Sequence, residues 1–189
     1  NQYQGPHGAI MTGFESSDAE CVIVLPADDN YNISIIDKMY DKFKDGNDIV
    51  VPSRFMKGGS MRGGPWLKTL LCKLGSFSLY LLSSTPARDA SNAFRLFSRR
   101  VLDTVLIESS EGFTFSLELL VKCTRLKWKI DQVPAKWLER EKGKSRFKVM
   151  KWLPYYLRWY LYGLGTTWLR KGPETVRLKK RDSLITTKS

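Results

Sequence analysis

Two short runs along the chain are apolar at nearly every position. Cys21, Val22, Ile23, Val24 and Leu25 form the first, and the stretch Asp48 to Phe55, read as DIVVPSRF, contains the second. Uninterrupted apolar runs of this length, bounded by turn formers, predict strands buried on both faces. Between them, NISIIDKMYDKFKDG places Ile33, Ile36, Met39, Tyr40 and Phe43 at helical spacing, with Gly46 where a helix C-cap belongs. A short helix is expected over residues 8–15 and a largely apolar one over 66–82. Residues 93–97 read as a strand leading into a helix. A further helix is expected in GFTFSLELLVKCTR, where Phe113, Leu117, Leu120 and Val121 share a face. KWKIDQVPAKWLE alternates as strands do, with Pro134 placing it at an edge or bend. MKGGSMRGGP and REKGKSRFK read as a flexible loop and a basic loop. The alternation of helix and strand predicts an α/β fold with a mostly parallel sheet flanked by helices.

Composition narrows this picture. A chain of 189 residues, 42% hydrophobic and 12% aromatic, holds one folded domain, or one domain with an appendage. Cys21, Cys72 and Cys123 are far apart and odd in number, which argues against a disulfide framework or zinc site. With His7 the single histidine, a histidine metal site or a Ser-His-Asp triad is disfavoured. Charge is unevenly placed. Residues 1–121 carry 12 Lys and Arg against 14 Asp and Glu, a net of −2; residues 122–189 carry 19 against 5, a net of +14. A basic C-terminal part suits phosphate-rich partners: nucleic acid, an anionic membrane surface or a phosphorylated substrate.

The first strand ends in Pro26-Ala27-Asp28-Asp29-Asn30. In open α/β sheets ligands sit beyond the carboxyl ends of the strands, and acids there are placed to hold Mg²⁺ or Mn²⁺ against substrate phosphates. The same residues equally suit an Asx-rich turn that caps the next helix. Four further segments, PSRF, RDASNAFR, WLER and GKSRFK, carry donors suited to phosphate.

Taken in order, GPHGAIMTGFESS, VIVLPADDN, IVVPSRFMKGG, RDASNAFRLFSR, EGFTFSLELL and VPAKWLEREKGKSRFK resemble the inverting family-2 glycosyltransferases of the GT-A fold. The likeness runs over residues 5–148 and is strongest to the dolichyl- or polyprenyl-phosphate sugar synthase branch. It implies a GT-A-like (Rossmann-like) domain over residues 1–148. It also implies metal-assisted, inverting transfer of a sugar from a nucleotide-sugar donor to a lipid-phosphate acceptor. Asp28 matches the main ligand of a divalent cation (Mg²⁺ or Mn²⁺) and Asn30 a weaker one. Pro26 stands where the family has a further aspartate, for which Asp29 is a substitute. Arg54 matches the arginine facing the donor diphosphate, and Asp89 the acid nearest the acceptor, the candidate catalytic base. Arg95, Arg140, Ser145 and Arg146 match positions around the donor and acceptor phosphates. Glu118 is expected to serve in a salt bridge rather than in this cluster. Nothing in residues 1–20 matches the Pro-x-Tyr-Asn-Glu strand with which such proteins begin. The sequence is therefore expected to be a fragment with an exposed sheet edge.

The segment WLPYYLRWYLYGLGTTWL is slightly short for a spanning helix, and Arg158 lies inside it. Its Trp and Tyr content and flanking Lys and Arg predict an amphipathic aromatic helix in the membrane interface over residues 149–172. A helix packed on the domain is the other reading. Residues 173–189 read as a basic, disordered tail. The expected location is peripheral, on the cytoplasmic face of a membrane, with no nucleic-acid partner. Alternative functions are a family-2 transferase with a polysaccharide or other non-lipid acceptor, or a non-enzymatic basic module that binds nucleic acid.

Overall fold

A computed structural model of the chain describes residues 5–27, 29, 31–63, 66–138 and 149–180. Helices α1 (Gly5–Glu15), α2 (Ile36–Lys44), α3 (Trp66–Leu82), α4 (Arg99–Thr104), α5 (Thr114–Arg125) and α6 (Val149–Trp168) surround two sheets. The larger sheet contains β1 (Cys21–Val24), β2 (Ile49–Ser53), β4 (Arg95–Ser98) and β5 (Ile130–Pro134) in the order β1-β4-β2-β5. The smaller pairs β3 (Ser60–Arg62) with β6 (Lys136–Leu138) in parallel.

The sheet is mixed rather than mostly parallel. β4 runs antiparallel to both β1 and β2, while β2 and β5 are parallel. The reason lies in where β4 begins: Arg95 pairs with Val24, the last residue of β1. The chain enters β4 from the carboxyl side of its neighbours, and a strand that starts where they end must run against them.

β1 is half-buried throughout, not buried on both faces, because its one ladder among the described residues is with β4. β2 fulfils the expectation of a fully buried strand, since β4 and β5 flank it and helices cover both faces. Its alternation divides the core. Ile49 and Val51 join Phe97, Phe115 and Leu119 on one side; Val50 joins Met39, Phe94, Leu96 and Val133 on the other. Phe14 of α1 meets Phe97 and Phe115 edge-on at 5.9 and 5.7 Å, which fixes α1 over the first side.

Part of the glycine-rich stretch is ordered: Ser60–Arg62 form β3, and Ser60 N–H donates to Ala135 O at 2.9 Å. Pro134 ends β5, as its missing N–H allows. Residues 173–180, expected within a disordered tail, fold back on the body. Pro173–Thr175 make a 3₁₀ turn, Val176 is buried, and Leu178 bridges Val105.

Candidate functional site

The carboxyl end of β2 delivers Arg54 directly beyond Ser53, and the loop entering β4 delivers Asp89 beside it. The two form a buried, bidentate pair. Arg54 Nε donates to Asp89 Oδ2 at 2.7 Å and Nη2 to Oδ1 at 2.9 Å. The Arg54 backbone N–H also donates to Oδ2 at 3.0 Å, and Ser91 Oγ to Oδ1 at 3.2 Å. Each carboxylate oxygen thus accepts two bonds, and Asp89 has no solvent exposure. Arg54 Nη2 additionally donates to Ser91 Oγ at 2.7 Å, whereas Nη1 takes part in none of these bonds. Burial alone would push the Asp89 carboxyl up. The Arg54 guanidinium and backbone N–H outweigh it and hold the group below the usual carboxylate range.

Arg95, the first residue of β4, is also wholly buried. Its Nη2 donates to Ala90 O at 2.8 Å and Asp89 O at 3.2 Å, and its Nη1 to Ser116 O. It therefore ties the Asp89 loop to α5. Its Nε has no hydrogen-bond partner among the described residues. Burial lowers its pKa to about 10, against an opposing pull from Asp89. Two residues that sequence reasoning passed over complete the loop. Asn92 Nδ2 donates to Pro52 O at 2.8 Å, so its side chain bonds the backbone of β2 beyond the last β2–β4 pair. Tyr156 of α6 lies close enough to both arginines to feel their charge; burial pushes its hydroxyl up to about 12. No local signal near Tyr156 reports this, because it lies far along the chain from β4.

At the end of β1, Asp29 turns toward the backbone that follows it. Asn32 Nδ2 donates to both its oxygens, at 2.7 and 2.8 Å, and Asn32 N–H to Oδ1 at 3.2 Å. Asn32 also exchanges two bonds with the backbone of Lys136, fastening the turn to β6. For Asp29, then, the turn-forming reading holds. Asp28, Asn30, Arg140, Ser145 and Arg146 lie outside the described residues. Among the described residues no cluster of three His, Cys, Asp or Glu side chains could hold a metal. The carboxylates of Asp29 and Asp89 accept hydrogen bonds from Asn32 and Arg54.

Glu118 sits apart from this site, in the salt bridge expected of it. It accepts Lys122 Nζ at 2.6 Å and the backbone N–H groups of Glu108 and Ser109 at 2.7 and 2.8 Å.

The sequence profile described as Glycosyl transferase family 2 matches residues 1–106, more than half of the chain. The chain belongs to that family. Among curated relatives, the polyprenol monophosphomannose synthase of Mycolicibacterium smegmatis is 24% identical over 163 residues, covering 78% of this chain and 62% of the relative. The dolichol-phosphate mannosyltransferase of Pyrococcus furiosus is 27% identical over 148 residues, covering 77% of this chain and 41% of the relative. The chain thus spans between two fifths and two thirds of the length of these two relatives.

Proposed function

We propose that this family-2 glycosyltransferase moves a sugar, with inversion, from a nucleotide-sugar donor to a polyprenyl- or dolichyl-phosphate-type lipid acceptor at a membrane surface. The observation that carries the reading is the state of Asp89. A general base must have a lone pair to receive a proton and a pKa near the working pH. Asp89 has four donors on its two oxygens and a carboxyl held below the ordinary range. Such a group is badly suited to deprotonating a sugar hydroxyl. It suits an acceptor that arrives already ionised, as a phosphate monoester does near neutral pH. One relative is named a polyprenol monophosphomannose synthase and the other a dolichol-phosphate mannosyltransferase, in keeping with that choice.

The chain's own residues then have these roles. Asp89 fixes the Arg54 guanidinium in one plane at the carboxyl edge of the sheet, leaving Nη1 to face the donor diphosphate. Arg95 holds the Asp89 loop at the height of that edge. Arg140, Ser145 and Arg146 supply further donors to the phosphates of donor and acceptor. Asp28 and Asn30 offer hard oxygen ligands to Mg²⁺ or Mn²⁺, which when bound offsets charge on the departing nucleoside diphosphate. Guanidinium donors preorganised in a buried site stabilise that same charge without reorganising.

The test is transfer of radiolabel from a panel of nucleotide-sugars, mannosyl donors included, into the organic phase of vesicles containing polyprenyl phosphate. Label should enter the lipid fraction, and Arg54→Met should remove it. Transfer to a soluble glycan but not to the lipid phosphate, or no nucleotide binding at all, would overturn the reading.

A further inference from the structure

Arg54, Asp89 and Arg95 leave a charge over. All three are buried, Asp89 and Arg95 completely. Asp89 pairs with Arg54, and among the described residues no second carboxylate forms an ion pair with either arginine. Arg95 directs its Nη groups at the carbonyls of Asp89, Ala90 and Ser116, and its Nε meets no acceptor among those residues. Its pKa, lowered by burial, is still about 10, so it is charged at neutral pH. Two buried cations against one buried anion leave one positive charge unbalanced. Such a surplus is costly unless an anion comes to meet it.

Helix α6 holds a further group over this place. Its inward face is fixed at four positions. An added Cβ at Gly112 would lie 2.8 Å from Trp152 Cζ3, and Trp159 Nε1 donates to Ser109 Oγ at 2.8 Å. Tyr160 Oη and Ser78 Oγ are 2.8 Å apart, and an added Cβ at Gly163 would lie 3.1 Å from Val121 Cγ1 and 3.2 Å from Leu79 Cδ2. One side of this face therefore meets α5 and the segment before it, and the other meets α3. Tyr156 comes one turn after Trp152 and one turn before Trp159 and Tyr160, so it shares the face and lies over the seam between α5 and α3. Two bonds mark what lies beneath. Arg95 reaches Ser116 O in the first turn of α5, and Ala90 N–H donates to Ser76 Oγ of α3 at 3.1 Å. The Asp89 loop thus floors the seam under Tyr156. In agreement, the phenol lies within charge range of Arg95, Cys72 and Arg54.

We propose that the Tyr156 hydroxyl is a further substrate-contacting group, donating a hydrogen bond to a phosphate oxygen drawn in by the unbalanced charge of Arg54 and Arg95. The proposal rests on the transferase reading above and adds a residue to it. A phosphate brings the negative charge that the arginines lack, and its oxygens accept from several directions at once. A phenol suits the third position. Burial pushes its hydroxyl up to about 12, so it keeps its proton at neutral pH and donates without adding charge. A lysine there would enlarge the surplus while no ligand is bound, and an aspartate would take the ligand's place. The phosphate belongs either to the donor diphosphate or to the lipid acceptor, and the test separates the two.

The experiment is calorimetric titration of the full chain with inorganic pyrophosphate and, separately, with a short-chain prenyl phosphate. Tyr156→Phe keeps the ring and removes only the hydroxyl. It should weaken one of the two ligands about tenfold, the loss expected for one hydrogen bond to a charged group. Loss confined to pyrophosphate assigns the contact to the donor, and loss confined to prenyl phosphate assigns it to the acceptor. A wild-type chain that binds neither ligand would overturn the proposal. So would a variant with a lowered thermal midpoint and unchanged affinities, for then the hydroxyl serves the fold alone. Absorbance of the wild-type chain gives a second reading that needs no variant. A phosphate oxygen accepting from the phenol red-shifts a tyrosine band, and an unshifted spectrum at saturation with both ligands counts against the contact. Failure here and failure of the transferase reading look different. Tyr156-dependent anion binding without sugar transfer to lipid removes that reading and leaves this contact, whereas intact transfer with a silent Tyr156→Phe does the reverse.

Discussion

Replacing Asp89 with asparagine changes almost no volume and removes one charge, which makes it a sharp probe of the Arg54–Asp89 pair. The wild-type carboxylate accepts four bonds, three of them from Arg54. Asparagine keeps one acceptor oxygen and turns an N–H₂ toward two donors, so two of the four bonds are lost. The charge balance worsens as well. Arg54 and Arg95 are both buried, and the charge of Arg54 disfavours that of Arg95 while Asp89 favours it. Neutralising Asp89 leaves two buried guanidinium groups without that counter-ion. Breaking a buried pair from one side costs about 3–5 kcal/mol. With a urea m-value of about 2 kcal/mol per molar, the unfolding midpoint should fall by about 2 M.

A double-mutant cycle in urea checks the reasoning. Arg54→Met removes the stranded cation, so Arg54→Met/Asp89→Asn should cost less than the sum of the singles by about 2 kcal/mol. The pH dependence has a definite sign. Because the folded carboxyl is depressed, its contribution is fully present above the unfolded value near 4 and is lost as pH falls through the folded one. Asp89→Asn should flatten that acid limb. A loss below about 1 kcal/mol, or strict additivity in the cycle, would refute the claim that this pair holds the site together.

His7 is the chain's single histidine, so its imidazole titration is readable without assignment. Burial against Phe115 lowers its pKa, with Gly112, Glu118 and Glu111 opposing. The stability it confers is complete above about 6.5 and declines as pH falls below that; an NMR midpoint at or above about 6.5 would contradict this. At Gly59, an added Cβ would collide with Ser53 O and lie 2.9 Å from the Arg54 carbonyl carbon. Gly59→Ala should therefore destabilise by about 1–3 kcal/mol and weaken nucleotide binding through Arg54, measured by thermal unfolding and calorimetry; unchanged binding would uncouple the loop from the site.

What the sequence could show depended on whether a feature is local. β2 is legible because both its faces are buried, which requires apolar residues at successive positions. α3 and α6 are legible for the same kind of reason, since a run of apolar residues sustained over four or five turns is too long for a single strand. Direction is not local: Arg95 to Ser98 would read identically in a parallel or an antiparallel strand. Nor is β3 legible, because Ser60–Arg62 is a strand by virtue of β6, far along the chain. In the site, Arg54 and Asp89 could each be singled out by their motifs, yet as bearers of separate tasks. Their direct contact spans thirty-five residues and appears only once the chain enters β4 from the far side.

That contact alters the chemistry assigned to the acid. An aspartate at the sheet edge is a natural candidate for a base when it is considered alone. On the proposed reading the same aspartate, whose oxygens accept from Arg54 and Ser91, acts by holding a guanidinium still. On that reading the site takes substrates whose charges are already formed: an ionised acceptor on one side and a diphosphate on the other.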